Sequence, residues 1–113
     1  MHISSVLEDG NYVIAVDGDV DASSSIRLDE AIAQAIQEGQ QHILIDCENL
    51  NYISSAGLGV FMSYIEELKT KNIRMVLFGL SERVANVFKV LGLDQLLNIK
   101  ETKDQAKQRA HEQ

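Results

Sequence analysis

The chain of 113 residues contains no proline and one cysteine, and none of its apolar runs approaches the ~20 residues needed to span a membrane. A lone Cys47 excludes an intramolecular disulfide, and with His2, His42 and His111 scattered it leaves no ligand set spaced for a metal. Without proline, internal repeats or low-complexity stretches, nothing divides the chain, and its length is that of one domain, expected over 1–113. Bases are also scarce. Ten Lys and Arg stand against 17 Asp and Glu, a formal charge of −7, and no basic stripe exists on which nucleic acid could be bound. Met1-His2-Ile3 leads straight into polar and acidic residues rather than into a basic segment and a long apolar one, so the expected location is the cytoplasm, without membrane insertion.

What remains is 45% hydrophobic residues in short periodic runs. Ile3 to Leu7 and Tyr12 to Val16 read as two strands around the turn-forming Asp9-Gly10-Asn11, so the chain should open with an antiparallel pair. Asp17-Gly18-Asp19-Val20-Asp21 reads as an acidic loop. From Ser24 to Gln37, Leu28, Ala31, Ile32, Ala35 and Ile36 share a helical face, and Gly39 is placed to stop it. His42 to Cys47 is apolar enough for a strand covered on both faces, which implies parallel neighbours. A helix is expected from about Ser55 to Lys69, a strand over Ile73 to Phe78, and a helix capped by Ser81 with Val84, Val87, Phe88 and Leu91 as its stripe. Leu96 to Ile99 suggests a short last strand, and the polar tail from about Lys100 a weak or frayed helix. The fold class expected is α/β: a small mixed sheet, antiparallel at its opening and then parallel, with amphipathic helices packed on it.

Several chemistries fail on spacing. Asp17, Asp19 and Asp21 begin a calcium-loop pattern, but Ala22 stands at its glycine position and Leu28 at its bidentate glutamate position. Gly57 and Gly59 begin a dinucleotide fingerprint that meets Met62 where a third glycine belongs. No G-x-S-x-G elbow surrounds Ser54-Ser55, and Cys47 closes a buried strand, so no catalytic constellation forms and neither an enzyme nor a cofactor is expected.

The most informative stretch is Tyr52-Ile53-Ser54-Ser55-Ala56-Gly57-Leu58-Gly59, where an apolar strand region runs into a helix. By local chemistry it is a helix start, with Ser54 as cap, Ser55 in the first turn, and Gly57 and Gly59 letting the helix lie close to the sheet. Ser54 to Gly59 also resembles, in register, the Asp-Ser-Ser/Thr-Gly-Leu-Gly phosphorylation motif of the anti-sigma factor antagonists, in the domain family they share with sulphate transporters (STAS). Gly18-Asp19-Val20-Asp21 is similar to that family's Gly-Glu-Ile/Leu-Asp, and Leu91-Gly92-Leu93-Asp94 to its segment after the third helix. The similarity covers roughly residues 3 to 99. Ser54 stands where the family usually has aspartate, and Ala56 where it often has a second serine or threonine.

The resemblance implies a STAS domain acting as an anti-sigma factor antagonist. Ser55 would be the phosphoacceptor, with Ser54 as the alternative, and Asp19, Asp21, Ser54, Ser55, Ala56, Gly57, Leu58 and Val60 would contact the partner. The implied partners are an anti-sigma factor that is also a serine kinase and a metal-dependent, PP2C-type serine phosphatase. The alternative is a non-switching STAS scaffold in a stressosome-like or transporter-associated complex, which Ser54 in place of aspartate favours. A small-ligand or nucleotide site would need a polar pocket cluster that the sequence does not display.

Overall fold

The computed structural model describes residues 1–112. Strands β1 (His2–Glu8) and β2 (Asn11–Val20) form an antiparallel hairpin. Its two-residue turn puts Asp9 at φ 52° and Gly10 at φ 78°, as a type I′ turn requires. Then follow α1 (Ser25–Gln37), β3 (His42–Asp46), β4 (Leu50–Ile53), α2 (Ser55–Ser63), α3 (Ile65–Thr70), β5 (Arg74–Phe78), α4 (Glu82–Val90), a 3-10 turn (Leu93–Gln95), β6 (Asn98–Lys100) and α5 (Lys103–Ala110). The strands run in the order β1-β2-β3-β5-β6, and β4 adds to β2 beside β3. Among the described residues only β1–β2 is antiparallel; the other pairs are parallel. The mixed α/β sheet expected from the sequence is the one observed.

Alternation along β3 buries Ile43 and Ile45 with α1 to α4 and turns Leu44 to the other face. The first face carries the main core, in which Leu28, Ile32, Phe61 and Phe88 are essentially fully buried. Val13, Leu44, Val76 and Phe78 on the second face are covered by Ala106 and Ala110 of α5.

Several local expectations are corrected. Asp17 to Val20 is strand rather than loop, because β2 leaves β3 after Ala15 and resumes pairing with β4 from Gly18. At Gly18, φ is +95° and the amide donates to the Asn49 carbonyl at 2.8 Å, which turns the strand toward its new neighbour. The helix expected from Ser55 to Lys69 is broken at Tyr64. There the Ser63 hydroxyl donates to the Val60 carbonyl at 2.7 Å and the Tyr64 amide to Phe61 at 3.3 Å, so side chain and backbone compete for the helical carbonyls. Tyr64 is buried, and its hydroxyl donates to Asp29 of α1. Of the stripe on α4 only Val84 and Phe88 are buried, whereas Val87 and Leu91 are exposed. The last strand is displaced to Asn98–Lys100 because Leu93 to Gln95 close a 3-10 turn first.

The tail is not frayed. Thr102 and Gln105 form a reciprocal capping box at the start of α5. Lys107 bridges Glu8 at 2.6 Å and Asp9 at 2.8 Å, while Lys103 reaches Glu8 at 3.3 Å. At its other end, His42 Nδ1–H donates to the Ala110 carbonyl at 2.8 Å and Arg74 to the Arg109 carbonyl at 2.9 Å, placing donors on the negative end of the helix. The two alanines, one turn apart, allow the backbone of α5 to lie directly on the sheet.

Candidate functional site

Strands β2, β4 and β5 all point the same way and lead into α1, α2 and α4, so the three helix starts gather beyond the C-terminal ends of these strands. Pairing of Asp19 with Tyr52 and of Val20 with Ile53 brings the acidic end of β2 alongside the serines. The Ser54 amide donates to the Val20 carbonyl at 2.8 Å, tying the start of α2 to that strand end.

Ser54 is the cap. Its backbone is extended, its hydroxyl accepts from the Gly57 amide at 3.2 Å, and its carbonyl accepts from Leu58 at 3.0 Å. Replacing the family's aspartate by serine therefore leaves the capping bond in place. Ser55 is the first helical residue and is exposed, whereas Ser54 is half-buried. The first turn of α2 contains no acidic side chain, so the positive end of the helix dipole faces solvent without a carboxylate on its own helix to offset it.

Gly57 is required by space. A Cβ there would lie 2.7 Å from Ile53 Cγ1 and 2.9 Å from Val20 Cγ1, the side chains on which this turn of α2 rests. Gly59 does not share that role, because a Cβ on it would meet nothing within 4 Å. It lies with Ser55 and Met62 at i, i+4 and i+7 on the exposed side of α2.

The eight residues singled out from sequence thus divide. Asp19, Asp21, Ser55 and Ala56 are exposed and Ser54 and Val60 half-buried, while Gly57 and Leu58 are buried and shape the surface from below. The Asp21 carboxylate is already engaged: Oδ1 accepts from the Ser24 amide at 2.8 Å and from the Ser24 and Ser23 hydroxyls at 2.9 Å. Those bonds, the Ser24 amide foremost, hold its pKa down to about 2. Asp19 is the acid with its exposed side chain beside β4. Sequence reasoning passed over Tyr52 and Met62, which are 53% and 43% exposed near Ser55 in sequence. The β-forming pair Tyr52-Ile53 was the available signal for β4.

Burial pushes the Cys47 thiol far above its usual range. Among the described residues no group of three His, Cys, Asp or Glu is placed to hold a metal ion, and no helix is long and apolar enough to cross a membrane. A cleft of about 400 Å³ lies at the other end of the strands, where Gln41, His42 and Arg74 line it.

The STAS domain profile matches residues 2–106. The anti-sigma-B factor antagonist of Staphylococcus aureus (strain NCTC 8325 / PS 47) is 28% identical over 101 residues, covering 89% of this chain and 94% of that protein. The anti-sigma factor antagonist from Mycobacterium paratuberculosis superposes with a TM-score of 0.89 at 20% identity, covering 98% of this chain and 94% of that one. SpoIIAA of Bacillus in its phosphorylated form gives 0.71 at 24%, covering 96% and 98%.

Proposed function

The chain belongs to the STAS domain family, and on that premise we propose that it is an anti-sigma factor antagonist switched by phosphorylation of Ser55. The observation that carries this reading is the position of Ser55: exposed, first in its helix, beside a separate capping serine, with no acid in the first turn. The relatives named as anti-sigma factor antagonists support it.

With Ser55 unmodified, the surface formed by Asp19, Ser54, Ser55, Ala56 and Val60 docks on an anti-sigma factor that is itself a serine kinase, and the sigma factor is released. Gly57 and Leu58 hold that surface from beneath. Gly59 leaves a bare turn next to Ser55, which lets a partner's backbone come close.

The kinase then transfers the γ-phosphoryl group of ATP to Ser55 Oγ; a P–O bond forms, ADP departs and the hydroxyl proton is lost. The product carries about −1.5 to −2 charges at pH 7. Backbone N–H groups at the helix start and the dipole favour that charge, so the domain keeps its fold. Repulsion is displaced to the interface, where the phosphate joins Asp19 and Asp21. A loss of about 3 kcal/mol there weakens binding by roughly two orders of magnitude, enough to exchange partners. A metal-dependent, PP2C-type serine phosphatase would reset the switch by hydrolysis.

Ser54 in place of aspartate favours a second reading, a non-switching scaffold, because an enzyme that reads the carboxylate finds a hydroxyl. One experiment separates the two. Wild type, Ser55→Ala and Ser55→Asp are used as baits in lysate of the source organism, with captured proteins identified by mass spectrometry. Capture of a kinase-like ATPase by the first two and its loss with the third is the expected result. The same captured assembly for all three would overturn the switch in favour of the scaffold.

A further inference from the structure

The two edge strands on the main path of the sheet are protected very differently. β6 has three residues and ends on Lys100, the kind of short, charged edge that discourages strand addition. β1 has seven residues, His2-Ile3-Ser4-Ser5-Val6-Leu7-Glu8, with no proline, lysine or arginine, and pairs with β2 through seven consecutive positions without a bulge. Among the described residues it has no strand on its other side, and Val6 and Leu7 stand 56% and 64% exposed.

The hairpin determines which backbone groups are free. Its tight turn makes Glu8 and Asn11 a hydrogen-bonded pair, so alternation bonds Val6, Ser4 and His2 to Val13, Ala15 and Asp17. The N–H and C=O groups of Ile3, Ser5 and Leu7 therefore point outward.

We propose that β1 is a self-association edge, on which a second copy of this chain adds its own β1 antiparallel about a twofold axis at Ser5. This register is self-complementary. Ser5 faces Ser5 of the second copy, and Ile3 faces Leu7 in both directions, so each outward N–H finds an outward C=O. On the face of α1 to α4, exposed Leu7 packs on Ile3 across the axis. On the face of α5, Val6 lies by Ser4, and His2 stands opposite Glu8, so no like charges are opposed despite the acidic surface. The pairing lies along β1, leaving Ser55 free, and it does not depend on the function proposed above.

The test combines sedimentation velocity with amide exchange read residue by residue, from about 10 µM to about 1 mM protein. A concentration-dependent dimer is expected, in which the amides of Ile3, Ser5 and Leu7 gain protection while those of Ser4 and Val6 are protected throughout. Ser5→Pro removes an outward N–H and leaves the β1–β2 bonds intact, and should weaken the dimer by at least about tenfold. Leu7→Lys, which places a charge against Ile3 of the other copy, provides the same test if the proline variant folds poorly. A wild type that is monomeric at every concentration would overturn the proposal. So would a dimer in which Ile3, Ser5 and Leu7 exchange as in the monomer, or one that both variants leave unchanged.

Discussion

Helices α2 and α4 begin alike and end up unlike. Each follows a parallel strand, each is capped by a serine in extended conformation, and in each the hydroxyl accepts from the third helical amide at 3.2 Å, from Gly57 in α2 and from Val84 in α4. The differences lie in the next three positions. At the first helical residue α4 has Glu82, which answers the positive end of the dipole, and α2 has Ser55, which does not. At the third, α4 buries Val84, and α2 has Gly57 because Ile53 and Val20 occupy the space a side chain would fill. A serine cap is thus an ordinary way to start a helix. What sets α2 apart is an exposed hydroxyl on a first turn that has no acid of its own and is pressed against the sheet.

The largest effects should come from the third position. Gly57→Ala forces a methyl into Ile53 and Val20 and should destabilise the fold by about 1 to 3 kcal/mol. Val84→Ala should cost about 2 kcal/mol for the opposite reason, a lost side chain in the core. Urea unfolding of both reads the contrast, and a neutral Gly57→Ala would show that α2 can lift off the sheet.

The caps come next. Ser54→Ala and Ser81→Ala should each cost about 1 kcal/mol by thermal or urea unfolding, and unequal costs would mean that one serine contributes more to the fold than its capping bond.

Smaller still are the charges at the first position. Ser55→Asp should stabilise, and Glu82→Gln destabilise, each by about 0.3 to 1 kcal/mol at low salt and less at high salt. A large loss of stability in Ser55→Asp would mean that a negative charge at Ser55 disturbs the fold rather than the interface.

The third helix start, that of α1, sharpens the comparison through pH. Asp21 has a folded pKa of about 2 against an ordinary 3.8, so its contribution is fully present above pH 3.8 and is lost as pH falls toward 2. Glu8 and Asp9, lowered by Lys107, lose their contribution in the same direction. Asp21→Asn should therefore flatten, without abolishing, the decline in urea midpoint below pH 3.8, and leave the shape of the profile at neutral pH unchanged.

Legibility in the sequence followed the range of the interactions. The hairpin at Asp9-Gly10 and the stop at Gly39, where two amides return to Ile36 and Ala35, rest on residues a few positions apart, and both were readable. So was the cap of α2. The strand β4 showed only in the pair Tyr52-Ile53, since four residues carry little pattern and its partner lies some thirty residues upstream. The tail was underrated because its composition is polar, although Thr102-x-x-Gln105 was a visible capping box. Gly57 and Gly59 read alike as packing glycines, and only the position of Val20 and Ile53 under the first turn shows that Gly57 alone has that role.

Amino-acid order alone determined the mixed α/β plan, the apolar faces of the helices and the serine-bearing helix start, because periodicity and capping are decided by near neighbours. Tertiary structure decided that β2 exchanges β3 for β4 at Gly18, that the acidic strand end reaches the serines, and that α5 closes the second face through Lys107 on Glu8 and Asp9. Each of these brings together residues dozens of positions apart, and their proximity exists only once the sheet has formed.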